Sequence, residues 1–159
     1  AKENGERVLI FGDYDADGVC ATAILADCIA SMGADVIYRI PSRHEEGYGL
    51  SIAAVERLKQ EGVGLIVTVD NGVKAYGEID RCRELGMDVV VTDHHRCDGR
   101  IPECCAVVCH TRDDNTYQDD MAPTSSLPES PSGWSLYIMR YTSRTRSALP
   151  QRSIRITGP

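Results

Sequence analysis

The chain predicts an α/β fold: a parallel, Rossmann-like sheet with helices on both faces, followed by an irregular C-terminal tail. Two observations carry this. Short apolar runs rich in β-branched residues alternate with segments of helical periodicity, the pattern of a parallel sheet. Three of those runs also end in aspartate. Val8-Leu9-Ile10-Phe11 leads into Gly12-Asp13-Tyr14-Asp15-Ala16-Asp17-Gly18, Leu65-Ile66-Val67-Thr68-Val69 into Asp70-Asn71-Gly72, and Val89-Val90-Val91-Thr92 into Asp93-His94-His95. Parallel strands share one C-terminal edge, where α/β proteins place their sites.

The elements follow in order. A first strand covers Arg7–Gly12, and Ala21, Ile24, Leu25, Cys28 and Ile29 mark a helix over Val19–Met32 that Gly33 stops. A second strand, Asp35–Ile40, closes at Pro41, and a polar loop leads to a helix over Ser51–Gln60 with Ser51 as its cap. A third strand spans Gly64–Val69 and a helix Ala75–Leu85 ends before Gly86. Met87–Thr92 and Cys105–Cys109 complete the set of strands. Residues 121–159 hold five of the seven prolines, eight serines and four threonines, without sustained periodicity, so they read as a linker or tail. Within it, Trp134–Met139 suits one short strand or helix.

Composition narrows the function. At 159 residues the chain suits one domain with a real core. It has no run of eighteen apolar residues and no charged-then-apolar leader, which predicts neither a membrane span nor a secretory signal. Seven cysteines, odd in number and never spaced as CxxC, argue against a disulfide framework and fit a reducing cytoplasm. Cys104, Cys105, Cys109 and His110 suggest a soft-metal group, but Ala106-Val107-Val108 between them favours a buried strand. The net charge of −7 divides unevenly: residues 1–120 carry 23 acidic and 12 basic side chains, residues 121–159 one and five. An acidic body is a poor general binder of nucleic acid, so such contact would depend on bound metal and a few arginines.

The strand-end aspartates set the chemistry. Two carboxylates about 4 Å apart repel by roughly 4 kcal/mol at an effective dielectric near 20. Five aspartates and two histidines gathered on one edge therefore call for divalent cations. Asp13-x-Asp15-x-Asp17-Gly18 opens like an EF-hand loop, but Ile24 stands at the twelfth position and a strand precedes it. Asp70-Asn71-Gly72 alone is ordinary turn chemistry; after a buried strand, Asp70 becomes a candidate bridge between two ions. Paired histidines after an aspartate suit Mn²⁺ or Fe²⁺ better than Ca²⁺, with Asp93 either ligating or orienting a histidine.

These residues carry a resemblance. Asp15-Ala16-Asp17, Asp70 and Asp93-His94-His95, in this order and spacing, resemble the DHH phosphoesterase superfamily. The fuller Asp13–Gly18 motif, with Pro41-Ser42-Arg43-His44-Glu45-Glu46-Gly47-Tyr48-Gly49-Leu50, is similar to the RecJ-type single-strand-specific exonucleases. The match covers roughly residues 6–117 through four separate motifs. It implies a DHH-type phosphoesterase domain over residues 1–117, incomplete at its end, and a Ser/Pro/Arg-rich tail over 118–159. It implies a phosphodiester hydrolase holding two Mn²⁺ or Mg²⁺ ions through Asp13, Asp15, Asp17, Asp70 and His94. His95 would face the substrate phosphate or a metal, with Asp93 in support. Arg43 and His44 stand either for phosphate contact or for a structural role in their loop. The implied substrate is single-stranded DNA, cut 5′→3′ in repair and recombination, with a single-strand-binding protein or a helicase as partner.

The chain departs from that pattern in places. The family adds an aspartate some fifty or more residues beyond the triplet, and none follows Asp120 here. Cys109-His110 stands where Asn-Pro is expected, and the change past Tyr117 suggests a fragment or a shifted reading frame, as the start at Ala1 suggests a fragment boundary. The expectation is weak activity or none for the chain as given. Nano-RNA or cyclic-dinucleotide phosphodiesterases and manganese pyrophosphatases are sister readings, but they tend to carry a histidine a few residues before the first Asp-x-Asp, where Phe11 and Gly12 stand. A non-catalytic, replication-associated relative would have lost several ligands, and a receiver-type acidic pocket would not need both histidines.

Overall fold

The structure, a computed structural model, describes residues 1–41 and 49–112. Among these, strands and helices alternate as β1 (Arg7–Phe11), α1 (Ala16–Ser31), β2 (Val36–Arg39), α2 (Ile52–Gln60), β3 (Val63–Val69), α3 (Tyr76–Glu84), β4 (Asp88–Asp93) and β5 (Ala106–Cys109). The strands form one all-parallel sheet in the order β2-β1-β3-β4-β5. Each expected strand is present within one residue at either end. The first helix differs more, starting three residues early at Ala16. Apolar spacing marks where a helix begins to touch the core, whereas this one is started by Asp15, whose side chain accepts a hydrogen bond from Gly18 N. Ser51 caps α2 as its position suggests, accepting from Ala54 N.

Consecutive residues of β1 are buried on opposite faces, as the absence of apolar–polar alternation requires. Val8 and Ile10 pack with Val67 and Val69 under Ala21, Leu25, Ala26 and Cys28 of α1. Leu9 and Phe11 pack with Ile66, Val89 and Val91 under Val55 and Leu58 of α2 and Ile79 and Cys82 of α3. Each fully buried Leu or Ile contributes about 1.5–3 kcal/mol by leaving water, so the two helical layers hold β1 and β3 at the centre of the core. Cys109 is buried at the end of β5 and Cys105 exposed before it, so the segment forms the expected strand. Among the described residues, no three-ligand group forms there.

The strand order creates the crevice. From β1 the chain crosses through α1 to β2 on one flank, then returns through α2 on the opposite face to β3 on the other flank. The loops after β1 and β3 therefore leave for opposite faces, which opens a cleft between two adjacent strand ends. The boundary expected near residue 117 and the segment Trp134–Met139 lie outside the described residues.

Candidate metal centre

The loop after β1 brings two carboxylates to this cleft. Asp13 is 4 % exposed, and its Oδ1 accepts the amide of Tyr14 at 2.7 Å. Asp15 Oδ1 accepts Gly18 N at 2.9 Å, and this hydrogen bond to the ionised form is the main reason its carboxyl sits below the usual range. Gly18 is required by close approach: a Cβ there would fall 2.7 Å from the Asp13 carbonyl oxygen. Gly18→Ala is expected to lose about 1–3 kcal/mol through overpacking against backbone and to displace Asp13, read as a lower melting temperature together with weaker Mn²⁺ uptake. Asp15 has two separable duties. Asp15→Asn keeps the cap and should leave metal-free stability within about 0.5 kcal/mol, whereas Asp15→Ala should lose about 1 kcal/mol; both should weaken Mn²⁺ binding in a calorimetric titration.

Asp70 follows β3 and is 0 % exposed. Its backbone is left-handed, φ 61°, the one non-glycine residue of this kind among those described. Its amide still donates to Thr92 O at 2.9 Å, so the turn stays locked to β4. Beside it, Asn71 Nδ2 donates to Val69 O at 2.8 Å and across the cleft to Phe11 O at 3.2 Å, tying the end of β1 to the end of β3. Neither Asp70 carboxylate oxygen accepts a hydrogen bond from the described residues. His94 Nε2 lies 2.8 Å from Asp70 Oδ1 and 4.0 Å from Asp17 Oδ2.

Asp93 ends β4 and is filled by protein donors. Its Oδ2 accepts Val73 N at 2.9 Å; its Oδ1 accepts His94 N at 2.8 Å and His95 N at 3.0 Å and lies 2.7 Å from His95 Nδ1. A carboxylate with about four lone-pair sites so engaged has little left for a cation. Of its two expected roles, the orienting one fits: Asp93 pins the His94-His95 turn to the loop after β3 and holds the His95 ring by one nitrogen. Burial pulls the His95 pKa down, but the Asp93 hydrogen bond and the charges of Asp93, Asp70 and Asp13 outweigh it and leave it above the usual value.

The grouping fits cations. Asp13, Asp15 and Asp70 each offer an oxygen within 4.8 Å of the others; Asp70, His94 and His95 do the same with one oxygen and two ring nitrogens. The two groups share Asp70. Burial first, then the charges of Asp17 and Asp15, push its carboxyl up to about 7, against a smaller opposing effect of His95. A fully buried carboxylate that faces other carboxylates and has only the His94 ring close to it is stabilised by a proton or a cation. Oxygen and imidazole donors in this mixture suit Mn²⁺.

Of the residues read from sequence, Asp13, Asp15, Asp70, His94 and His95 come together, Asp17 lies beside them with Oδ2 4.0 Å from His94 Nε2, and Asp93 is buried next to the turn. Arg43 and His44 lie outside the described residues. The sequence reading missed Asn71 near the centre and took His110 only as part of a thiol group. Asn71 passed as turn chemistry; its carboxamide bridges strand ends 60 residues apart. His110, whose ring centroid is 6.4 Å from that of His94, follows β5 on the same edge, so the strand-end argument applied to a fourth strand would have found it.

Comparison with known proteins places the chain in a family. The single-stranded-DNA-specific exonuclease RecJ of Bacillus subtilis is 42 % identical over 103 residues, 65 % of this chain and 13 % of that protein. The RecJ of Thermus thermophilus is 38 % identical over 152 residues, 94 % of this chain and 21 % of that protein. This chain thus spans about a fifth or less of the length of these curated relatives. A crystal structure of exonuclease RecJ bound to manganese superposes with a TM-score of 0.73 at 33 % identity, covering 94 % of this chain and 36 % of that one. The model of the DHH family, N-terminal domain, matches residues 7–150, a span that takes in the whole sheet and every residue of the cleft. The chain belongs to the DHH family.

Proposed function

We propose that this chain is the metal-holding part of a phosphodiester hydrolase that digests single-stranded DNA 5′→3′ in repair and recombination. One observation carries the reading: Asp70, wholly buried among other acids, belongs to both three-ligand groups of the cleft. Asp13, Asp15, Asp17, Asp70 and His94 would hold two Mn²⁺ or Mg²⁺ ions, with Asp70 between them. Such ions, when bound, polarise a phosphoryl oxygen and lower the pKa of a water ligand.

The chain's own groups do the rest. Asp93 fixes the His95 ring by Nδ1 and so sets the orientation in which the imidazole would face a phosphate. The raised pKa of His95 favours its protonated form, a donor to a phosphate oxygen. Arg43 is proposed as a second phosphate contact. The single-stranded specificity of the RecJ relatives, at 38–42 % identity, supports the substrate. A single-strand-binding protein or a helicase is the partner such a nuclease would use, in the cytoplasm. Among the described residues, no helix is long and apolar enough to cross a membrane.

Titration of the chain with MnCl₂ should show two ions per chain, and any release of nucleotides from a single-stranded oligonucleotide should be weak and require metal. Faster turnover of pyrophosphate or of a dinucleotide would overturn the reading in favour of a sister branch. The pH dependence has a definite sign. Asp70 must lose its proton to ligate, so Mn²⁺ affinity should rise about tenfold per pH unit up to about 7 and then level off. Without metal, the raised folded-state pKa makes Asp70 stabilising below about pH 4, a contribution lost as pH rises through about 7. Unfolding curves between pH 5 and 8, with and without Mn²⁺, read this directly.

A further inference from the structure

Behind the His94-His95 turn lies a pair of thiols that the proposed hydrolysis does not use. Cys97 sits half-buried in the connection between β4 and β5; Cys109 closes β5 and is 1 % exposed. Their sulfurs are 3.7 Å apart. Both reach Thr111 Oγ1, at 3.7 Å and 3.1 Å. The Thr111 hydroxyl donates to the His95 carbonyl at 2.7 Å, and the Cys109 thiol reaches the same carbonyl at 3.5 Å. The backbone of the turn that presents both histidines therefore rests on these side chains.

We propose that Cys97 and Cys109 form a peroxide-responsive disulfide whose closure disturbs the His94-His95 turn. A disulfide holds its sulfurs about 2.05 Å apart, so the pair must close by about 1.7 Å. Cys109 is held in a strand of the sheet, whereas Cys97 lies in a connection without helix or strand, so the Cys97 side moves. That movement acts two residues from His95, and closure also removes the Cys109 S–H from the His95 carbonyl. Cys97 is the more accessible sulfur and reacts first. Hydrogen peroxide oxidises its thiol to a sulfenic acid as the O–O bond breaks and one water leaves. The Cys109 sulfur then attacks the Cys97 sulfur: the S–S bond forms, the S–O bond breaks, and the hydroxyl leaves with the Cys109 proton as a second water. The peroxide is reduced by two electrons and the two thiols are oxidised by two.

The coupling to the turn rests on the proposed metal centre; the disulfide does not. The purified chain is treated with a small excess of hydrogen peroxide, alkylated and digested with trypsin. Cleavage after Arg96, Arg100 and Arg112 puts Cys97 in one peptide and Cys109 in another with Cys104 and Cys105. The linked pair, lighter by two hydrogens than its free parts, should form in most molecules. It should persist in the Cys104→Ser/Cys105→Ser double variant and vanish in Cys109→Ser. A link that survives Cys109→Ser, or Cys97 recovered chiefly as sulfinic acid, overturns the pair. Oxidation should weaken Mn²⁺ binding by about tenfold, the scale of effects from groups that orient ligands. Dithiothreitol should reverse the loss, and Cys97→Ser should prevent it. Unchanged affinity after complete oxidation overturns the coupling. A reduced chain that takes up no Mn²⁺ overturns the functional reading and the coupling with it, while the peptide map judges the disulfide independently.

Discussion

Asp70→Asn is expected to make the metal-free chain more stable at pH 8 while abolishing its uptake of a Mn²⁺ pair. Asparagine matches aspartate in shape and tolerates the left-handed backbone at φ 61°, whereas alanine would add strain. The wild-type carboxylate is wholly buried, accepts no hydrogen bond and has its pKa raised to about 7 by burial and by Asp17 and Asp15. Removing that charge should raise stability by about 1–3 kcal/mol; a shift of this size sets a ceiling near 4 kcal/mol, part of which the buried carboxamide gives back. Since Asp70 serves both ligand groups, Mn²⁺ affinity should fall by more than about 100-fold, beyond the usual cost of losing a ligand's supporting group. Urea unfolding and calorimetry read the two effects separately. Metal-dependent hydrolysis above a few per cent of wild type would contradict the shared-ligand role.

Asp93→Ala should act in the opposite sense, as a loss of stability that carries the site with it. The carboxylate accepts three amides, those of Val73, His94 and His95, and holds the His95 ring. Val73 is 1 % exposed, so its N–H would be left buried and unpaired. Losing a network of this kind costs about 3–5 kcal/mol. His95 would also lose the partner that raises its pKa, and its titration, followed by imidazole NMR, should move down. A loss under about 1 kcal/mol with an unmoved His95 would show that Asp93 does not organise the turn.

The two variants separate kinds of carboxylate that look alike in the sequence. Asp70 and Asp93 each end a β-rich run and each precede a residue with a polar side chain. One accepts no backbone amide and faces His94 and other acids. The other is saturated by donors and faces backbone. Part of the difference arises from contacts distant in the chain, such as Val73 with Asp93, 20 residues apart, and Asp70 with His94. Residue order therefore marks both as candidates without assigning either a role. Asn71 shows the same limit, because its turn-forming chemistry is local while its bridge to Phe11 depends on β1 and β3 being neighbours.

Local pattern by itself determined the succession of strands and helices, the stop at Gly86, the cap at Ser51 and the set of acids and imidazoles brought to one edge of a parallel sheet. Each of these depends on a residue and its near neighbours: β-branched runs, helical spacing, a side-chain oxygen three residues from an amide. Only the tertiary structure decided that Asp70 is shared, that Asp93 orients, and that Cys97 lies against Cys109. Those outcomes follow from the strand order β2-β1-β3-β4-β5 and its register, which place groups distant in the chain within a few ångströms and settle which of them lose water, which gain donors and which face like charge.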